Sequence, residues 1–496
     1  MRTSHRQPAP SYRLSWRDRV PGPLRGPLNL PWGWIALALM IAAILGNQIN
    51  APNSRIIKAL AGVVLFIVSY RAKPFYALCF ITLLFPFPFS IFVGSSTMIF
   101  VVLASVIYLG RLTLRQVPPL VHSPVDVAIG ILMAAYLLSF YNIENPTVLE
   151  GAVKNMFGIV SSFLLYFMMV NFIRTEAQLR TYMRIFGITV ALCIFVGTYE
   201  LFFPGRVLVP NWILYSPPEV YKGYRVTGPF NDYELFGEFM AIVFFSSFFL
   251  YRRASTPNHR FFTLILSVLT VFMLLTTVTR GATLSFMGGI LYLLWVIRRR
   301  LSFRSLVIAS LVGIGLYFAM NFVVVHFTES GSVLDRLLGT TFVGGLPESR
   351  SDWPEILSRA LEHPFIGHGA FYDLGLTRGF TGKGLYTYLW PHNQYLFYLH
   401  TVGLIGTGAF LFITLRVLWL SFRWKAPGLD EASYPRSLMT ALHVMLLVFL
   451  VDQIKIDYLR NQTYQYFPWL LMGLIVATYR IIRAQEEGGA NRPETG

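Results

Sequence analysis

The chain has 496 residues, of which 55% are hydrophobic and only 13% are charged. Soluble domains carry about 25% charged residues, so this composition excludes an ordinary soluble protein. The net charge of +17 is interpreted as a signal of membrane topology and not of nucleic-acid binding, because long apolar runs recur throughout the sequence and runs of about eighteen or more residues are typical of membrane helices.

The apolar pattern predicts an all-α polytopic membrane protein of 12–14 transmembrane helices. A basic tail without a cleavable signal peptide comes first. Two of the fourteen candidate spans, 56–70 and 97–110, are short, so the lower bound of the predicted number of transmembrane helices is 12. The candidate spans are 32–49, 56–70, 74–92, 97–110, 125–141, 156–173, 185–203, 232–251, 261–279, 281–297, 305–325, 394–415, 437–454 and 463–480.

Lys and Arg are in excess in alternate connections, which orients the chain, because short cytoplasmic loops carry more of these residues. Both termini are predicted to be cytoplasmic. The predicted organisation is a basic tail (1–31), membrane helices with an outer loop at 204–231 (32–325), a large outer loop containing short helices (326–393), C-terminal membrane helices (394–482) and a second tail (483–496).

Two early outer elements attract attention. The loop 204–231 contains aromatic residues that suit the lipid headgroup region and two cations, although a plain connecting loop explains it equally well; these residues are Trp212, Tyr215, Tyr221, Tyr224, Lys222 and Arg225. The turn 279–281 places Arg280 at the membrane boundary. A charge there indicates a cavity or a partner, or an arginine that reaches outward to lipid phosphates.

The large outer loop is predicted to contain a helix at 351–362. Ser351 or Asp352 can cap it, and Pro354 suits its first turn. An apolar stripe on it would face the membrane surface or the bundle, and consists of Trp353, Ile356, Leu357, Ala360 and Leu361. Arg350 precedes the helix and would form an anion site with the helix amides, unless it pairs with Asp352 or Glu355.

Four histidines lie in this loop, namely His326, His363, His368 and His392. Their spacing is not that of a metal site, and neither an Asp-x-Asp motif nor a phosphate-binding GxxxxGK[ST] motif occurs, so no metal or cofactor is predicted. A lone histidine is more often structural than catalytic. His392 differs from the others because it stands where the chain re-enters the membrane, and imidazole is a suitable general base near neutral pH.

These features carry a resemblance. The segments 279–282 (TRGA), 350–353 (RSDW), 363–369 (HPFIGHG), 392–396 (HNQYL) and 403–406 (GLIG) together resemble the O-antigen ligase and polysaccharide polymerase superfamily. The resemblance implies a metal-independent, inverting glycosyltransferase of the bacterial inner membrane. Its members transfer a glycan from undecaprenyl diphosphate, on the periplasmic face, to lipid A–core or to another lipid-linked glycan.

The resemblance also implies roles for individual residues: His392 as the base, and Arg280, Arg350 and Arg225 as ligands of the diphosphate. About twelve spans are usual in the family, fewer than the fourteen candidates here. Ligase and polymerase remain open alternatives. A lipid-linked glycan flippase is a rival that would need ionisable residues at the membrane midplane, whereas the candidates lie near span ends: Asp126, Glu200, Glu234, Glu238 and Asp452. A non-catalytic membrane scaffold is a second rival.

Overall fold

A computed structural model describes residues 73–203 except 89, 92–93 and 145, then 225–298, 303–328, 352–369, 391–426 and 433–490, with 338–339, Arg350 and four two-residue strands between 342 and 388. All of them belong to one compact unit, Gly62–Gly496. The predicted tail 1–31, the spans 32–49 and 56–70, and the loop residues Trp212, Tyr215, Tyr221, Lys222 and Tyr224 lie outside the described residues.

The described part of the chain is built from α-helices, as predicted. The α-helices are α1 Pro74–Leu84, α2 Ser96–Thr113, α3 Asp126–Ser139, α4 Pro146–Phe172, α5 Glu176–Phe202, α6 Tyr233–Arg252, α7 Pro257–Thr276, α8 Arg280–Ile297, α9 Phe303–Thr328, α10 Trp353–Ala360, α11 Gln394–Trp424, α12 Tyr434–Asp452 and α13 Tyr466–Ala490. Short 3₁₀ helices lie at Phe140–Asn142, Gly228–Phe230 and Tyr458–Arg460.

Strand structure is confined to three antiparallel pairs of two-residue strands in the described residues. They are β1 Ser90–Ile91 with β2 Gly94–Ser95, β3 Phe342–Val343 with β4 Leu346–Pro347, and β5 Thr377–Arg378 with β6 Thr387–Tyr388. The first pair replaces the end of the predicted span 74–92. Helix α1 ends at Leu84 because Pro86 and Pro88, which follow it, lack the backbone N–H that would continue the helix.

Among the described residues, nine helices are long and apolar enough to cross a membrane: α2, α4, α5, α6, α7, α8, α11, α12 and α13. Helices α1 and α3 are apolar but shorter. The prediction of an all-α polytopic membrane protein is confirmed.

Helices α4 and α13 pack closely against each other. Trp469 is fully buried, and its ring lies 4.5 Å from that of Phe163 and 6.3 Å from that of Tyr166. Gly473 of α13 faces α4, and its lack of a side chain lets the two backbones approach closely. A Cβ at this position would lie 2.6 Å from the Cβ of Met169. Close approach at small residues is how membrane helices gain packing energy in the absence of a hydrophobic driving force.

Helix α11 is broken at Gly403, whose φ of 63° and ψ of −166° are not helical. The ring centroids of Tyr395 and Phe410 are 6.4 Å apart, whereas fifteen residues of straight helix would separate them by about 22 Å. Tyr398 also lies 4.5 Å from Phe410. The part before Gly403 therefore folds back against the part after it.

The turn 364–369 fills the hydrogen-bond gap that this break creates. In an unbroken helix the N–H groups of Leu404 and Ile405 would bond to the carbonyls of His400 and Thr401. Here Leu404 and Ile405 donate instead to the carbonyls of Pro364 and Phe365, at 2.7 and 3.2 Å. The freed carbonyls of His400 and Thr401 accept from the N–H groups of residues 368 and 369, at 2.8 and 3.1 Å.

Glycine is required on both sides of this contact, which we call the loop–helix junction (364–369 with 400–405). Gly367 has φ of +68°, and a Cβ there would lie 2.4 Å from the carbonyl carbon of Thr401. A Cβ at Gly403 would lie 2.4 Å from the backbone of Phe365. The obstructing atoms belong to the backbone and cannot rotate away. The segments HPFIGHG and GLIG therefore need their glycines because the two backbones pack directly against each other.

Candidate functional site

Five segments meet at one end of the bundle, all of them on the predicted outer side: the start of α6, the turn before α8, Arg350 ahead of α10, His392 ahead of α11, and the connection 453–465 between α12 and α13. Their charged side chains form one cluster, and we refer to it as the outer charged cluster: Asp232, Glu234, Arg280, Arg350, His392, Lys455 and Arg460. The topology predicted from Lys and Arg counts is consistent with this shared end.

His392 is held by contacts on both sides along the chain. The indole Nε1 of Trp353 in α10 donates to the carbonyl of Pro391 at 2.7 Å. On the other side, the Asn393 side chain caps α11 by accepting from the N–H groups of Tyr395 and Leu396, at 3.0 and 3.1 Å. His392 itself has φ of 42°, a left-handed conformation that costs energy in a non-glycine residue and is enriched at functional sites.

The ring of His392 lies between opposite charges. An N–H of Arg460 is 3.3 Å from Nδ1, and a carboxylate oxygen of Glu234 is 4.0 Å from the same nitrogen. Arg460 in turn pairs with Asp232 at 2.7 Å and with Glu234 at 2.9 Å. These two carboxylates, which are close to its guanidinium, raise the pKa of Arg460 despite its burial.

Burial lowers the pKa of His392 to about 4, and the nearby charges partly cancel. Glu234 and Asp232 raise the pKa, whereas Arg460 and Arg350 lower it. The imidazole is therefore neutral at physiological pH. Sequence reasoning anticipated an ordinary histidine pKa, and the shift comes from burial and from cations contributed by two other segments.

The carboxylates of the cluster are positioned by the segment 225–232, which precedes α6. Buried Glu200 of α5 accepts from the backbone N–H groups of Thr227 and Gly228, at 3.0 and 2.8 Å. The amide of Asn461 donates to the carbonyl of Phe230 at 2.6 Å. Asp232 then caps α6, so Glu234 is presented from the first turn of a well-anchored helix.

Arg225 contacts the turn between α7 and α8. Its guanidinium donates to the carbonyls of Thr277 and Val278, at 2.8 and 3.0 Å, and lies 3.3 Å from the ring centroid of Tyr233. These contacts tie the segment before α6 to the turn that leads into Arg280. They favour a positioning role for Arg225, and its predicted contact with a diphosphate stays a prediction.

Arg280 and Arg350 lie close to a third cation. A Cβ placed at Gly281 would be 1.8 Å from the Cδ of Lys455, so the lysine side chain crosses the first turn of α8. Arg350 donates to the backbone carbonyl of Lys455 at 2.6 Å. Burial lowers the pKa of Arg350, and Arg280 and Arg460 are near enough to lower it further. The structure thus brings together two predicted anion ligands.

The predicted helix of the outer loop exists as α10, slightly shorter than the range 351–362. Ile356 and Ala360 are buried against the bundle, whereas Leu357 and Leu361 are exposed. Glu355 pairs with Arg359 at 2.8 Å. The Asp352 side chain makes no capping hydrogen bond.

A layer of buried, hydrogen-bonded polar side chains lies next to the cluster. Buried Glu238 accepts from the Gln453 amide at 3.0 Å and from the Tyr464 hydroxyl at 2.8 Å. Buried Asp452 accepts from Ser285 at 2.6 Å and pairs with Lys455 at 3.0 Å. These contacts fix the 453–465 connection, and with it Lys455 and the residues up to Arg460.

Sequence reasoning found His392, Arg280 and Arg350 but missed the cations of the 453–465 connection. Lys455 and Arg460 carry no local motif; the available signal was that two cations stand on the predicted outer side, where positive charge is disfavoured. Glu234 was noted only as an ionisable residue near a span end. Within the described residues, no group of three or more His, Cys, Asp or Glu side chains could hold a metal ion.

Residues 265–411 match the family model described as O-Antigen ligase. The match confirms the predicted relationship to the O-antigen ligase superfamily, and it covers Arg280, Arg350 and His392. Arg225, Glu234 and the 453–465 connection lie outside the matched range. No curated protein matched the chain.

Proposed function

We propose that this protein is an O-antigen ligase-like glycosyltransferase of the bacterial inner membrane. It transfers a glycan from undecaprenyl diphosphate to an acceptor hydroxyl on the periplasmic face, with inversion and without a metal. The observation that carries the proposal is the outer charged cluster, in which His392 lies beside a carboxylate while Arg280 and Arg350 lie beside Lys455. The family match over the same segment supports it.

The reaction that fits these residues is a single displacement at the anomeric carbon. The acceptor oxygen forms a bond to this carbon as the bond from the carbon to the diphosphate oxygen breaks. His392 removes the proton of the acceptor hydroxyl, and undecaprenyl diphosphate leaves with the bonding electrons. One displacement inverts the anomeric configuration.

The arginines act on the leaving group. Negative charge grows on the diphosphate oxygen as the bond breaks, and cations aimed at that charge lower the barrier. Arg280 stands at the first turn of α8, where the helix amides also favour an anion. Arg350 is oriented by its bond to the Lys455 carbonyl, so it reaches the same region from the opposite segment.

The neutral state of His392 suits a base, because only the neutral ring can accept a proton. A pKa of about 4 makes it a weak base. The bound diphosphate would bring negative charge next to Arg350, which is one of the cations that depress the pKa. Donor binding therefore raises the basicity of His392 at the time when proton transfer is needed.

The first test uses purified protein in lipid vesicles with a lipid-linked glycan donor and its acceptor. His392→Ala should abolish transfer while donor binding persists, whereas His122→Ala, at a fully exposed histidine, should behave as wild type. Arg280→Ala and Arg350→Ala should raise the KM for the donor, with Arg359→Ala in α10 as the matched control. Full transfer by His392→Ala, or unchanged donor KM in both arginine variants, would contradict the assignment.

The acceptor hydroxyl belongs to lipid A–core or to a growing lipid-linked polysaccharide, so ligase and polymerase are alternatives within the same superfamily. Deletion of the gene and gel analysis of surface glycans separates them. Long lipid-linked chains without glycan on lipid A–core indicate a ligase, and accumulated single repeat units indicate a polymerase. A flippase or a scaffold would show no transfer in vesicles that present donor and acceptor on the same face.

A further inference from the structure

The Nδ1 atom of His392 contacts the guanidinium of Arg460, which can donate a hydrogen bond but cannot accept one. Arginine carries N–H donors only, so the 3.3 Å contact from Arg460 requires the lone pair of Nδ1. In this state the neutral ring carries its proton on Nε2. The tautomer held by Arg460 is therefore the wrong one for a base that takes a proton at Nε2, since that nitrogen already bears hydrogen.

Nε2 is the nitrogen left for the incoming hydroxyl. Nδ1 is enclosed by Arg460 and Glu234, whereas Nε2 has no hydrogen-bond partner in the part of the chain that the structure describes. For Nε2 to accept a proton, the ring hydrogen must stand on Nδ1 and find an acceptor there. This is the logic of a histidine base oriented by a carboxylate.

Glu234 is the carboxylate best placed to be that acceptor. Its oxygen lies 4.0 Å from Nδ1, so a shift of about 1 Å would bring the pair to hydrogen-bond distance. Both carboxylates that face the ring pair with Arg460, but Asp232 also accepts from the first N–H groups of α6, which holds it in the helix cap. The remaining charged groups that face His392, Arg460 and Arg350, are donors.

We propose that Glu234 is the positioning residue of the base. The His392 ring alternates between two tautomers, one bound by Arg460 and the other by Glu234. The proposal rests on the proposed function. In the resting state Arg460 donates to Nδ1. When donor and acceptor bind, the partly exposed ring releases its Nε2 proton to solvent water and takes a proton from water on Nδ1. Glu234 accepts a hydrogen bond from the new Nδ1–H, and the freed lone pair of Nε2 takes the proton of the acceptor hydroxyl. Glu234 then stabilises the imidazolium that forms.

The test replaces the carboxylate by its neutral isostere, Glu234→Gln, in the vesicle transfer assay. A positioned general base contributes about 10²–10⁴-fold, so kcat should fall by about 10²-fold or more while the donor KM stays near the wild-type value. The acidic limb of the kcat profile should move to lower pH, because the lost negative charge no longer favours the imidazolium. Glu150→Gln, an exposed member of the Glu150–Lys154 pair in α4, is the matched control and should be unchanged.

Asp232→Asn separates positioning from charge balance on Arg460. Asparagine keeps the helix cap and removes the other carboxylate bound to Arg460. Because Asp232 raises the pKa of His392 less than Glu234 does, Asp232→Asn should lower kcat less than Glu234→Gln and move the acidic limb less. Equal losses in both variants, or a Glu234→Gln enzyme with wild-type kcat or an unmoved limb, would overturn the inference while His392→Ala still abolishes transfer. Transfer by His392→Ala would instead refute the proposed base itself.

Discussion

The substitution Gly403→Ala tests the loop–helix junction. The Ala methyl group would lie 2.4 Å from the backbone of Phe365, and the backbone at residue 403, with φ of 63° and ψ of −166°, is one that alanine adopts only with strain. Alanine also favours the straight helix over the break. We expect the two halves of α11 to realign and the turn 364–369 to be expelled.

The cost follows from the contacts that depend on the break. Strain at a non-glycine residue in this region is about 1–3 kcal/mol. The four backbone hydrogen bonds of the junction contribute a net 0.5–1.5 kcal/mol each, roughly. If the backbone keeps its conformation, the strain is the cost. If it relaxes, the turn loses about 2–6 kcal/mol of bonding, part of which the repaired helix recovers. A loss of about 3 kcal/mol is expected.

The measurement is thermal unfolding of the purified protein in detergent, together with the transfer assay. Gly408→Ala is the matched control: it lies in the same helix, it is exposed, and nothing stands within 4 Å of its added Cβ. Because glycine is a poor helix former, Gly408→Ala should raise stability by up to about 1 kcal/mol. Gly403→Ala should lower the unfolding midpoint and abolish transfer, since His392 precedes the displaced half of α11.

Equal stability of the two variants would refute the junction as described. A second variant, Gly367→Ala, disrupts the loop–helix junction from the side of the turn. Neighbouring changes in one network are not additive, so the double variant should lose less stability than the sum of the single losses. Additive losses would mean that the two glycines act independently.

Two further predictions concern the vicinity of His392. Asn393→Ala removes the cap of α11 and should cost about 1 kcal/mol of stability and reduce kcat, whereas Asn393→Ser should retain both; thermal unfolding and the transfer assay check this, and equal behaviour of the two variants would contradict it. Because the pKa of His392 is lowered to about 4 and only the neutral ring is active, kcat/KM for the donor should be flat through neutral pH and fall as the pH approaches 4. A limb near pH 6.5 would indicate an unperturbed histidine.

The fold class was predictable because each membrane helix is recognisable from its own apolar sequence. About twenty consecutive apolar residues are needed to span the hydrocarbon core, and most of the described helices are visible in this way. Helix ends were less predictable. Helix α4 begins at Pro146 and α11 extends to Trp424, because a helix can continue through turns that contain charged residues such as Lys154 and Arg416, where the predicted spans stop.

The break at Gly403 was beyond sequence reasoning for a different reason. A glycine within an apolar run is compatible with a straight helix, and the partner that stabilises the break, the turn 364–369, lies about thirty-five residues earlier. Only the folded chain reveals that the glycine turn and the helix exchange hydrogen bonds. The motif-bearing glycines were noticed as turn formers, but their shared purpose depends on tertiary contact.

The candidate site divides in the same way. His392, Arg280 and Arg350 stand at span boundaries, where a charge or a histidine is conspicuous in an apolar sequence. Glu234, Lys455 and Arg460 also stand at such boundaries. Each can be explained as an ordinary charge that flanks a membrane span, so the sequence alone does not mark it as functional. Their importance comes from the convergence of five separate segments, and neither spacing nor composition encodes that convergence.

The central claim is that His392 takes the proton of an acceptor hydroxyl while a lipid-linked diphosphate leaves. The most direct measurement follows release of undecaprenyl diphosphate and formation of the glycosylated acceptor in vesicles that contain wild-type protein or His392→Ala, each loaded with the same bound donor. The account predicts stoichiometric release and product from the wild type, and bound but unconsumed donor in the variant. Product formation by His392→Ala at the wild-type rate would contradict it.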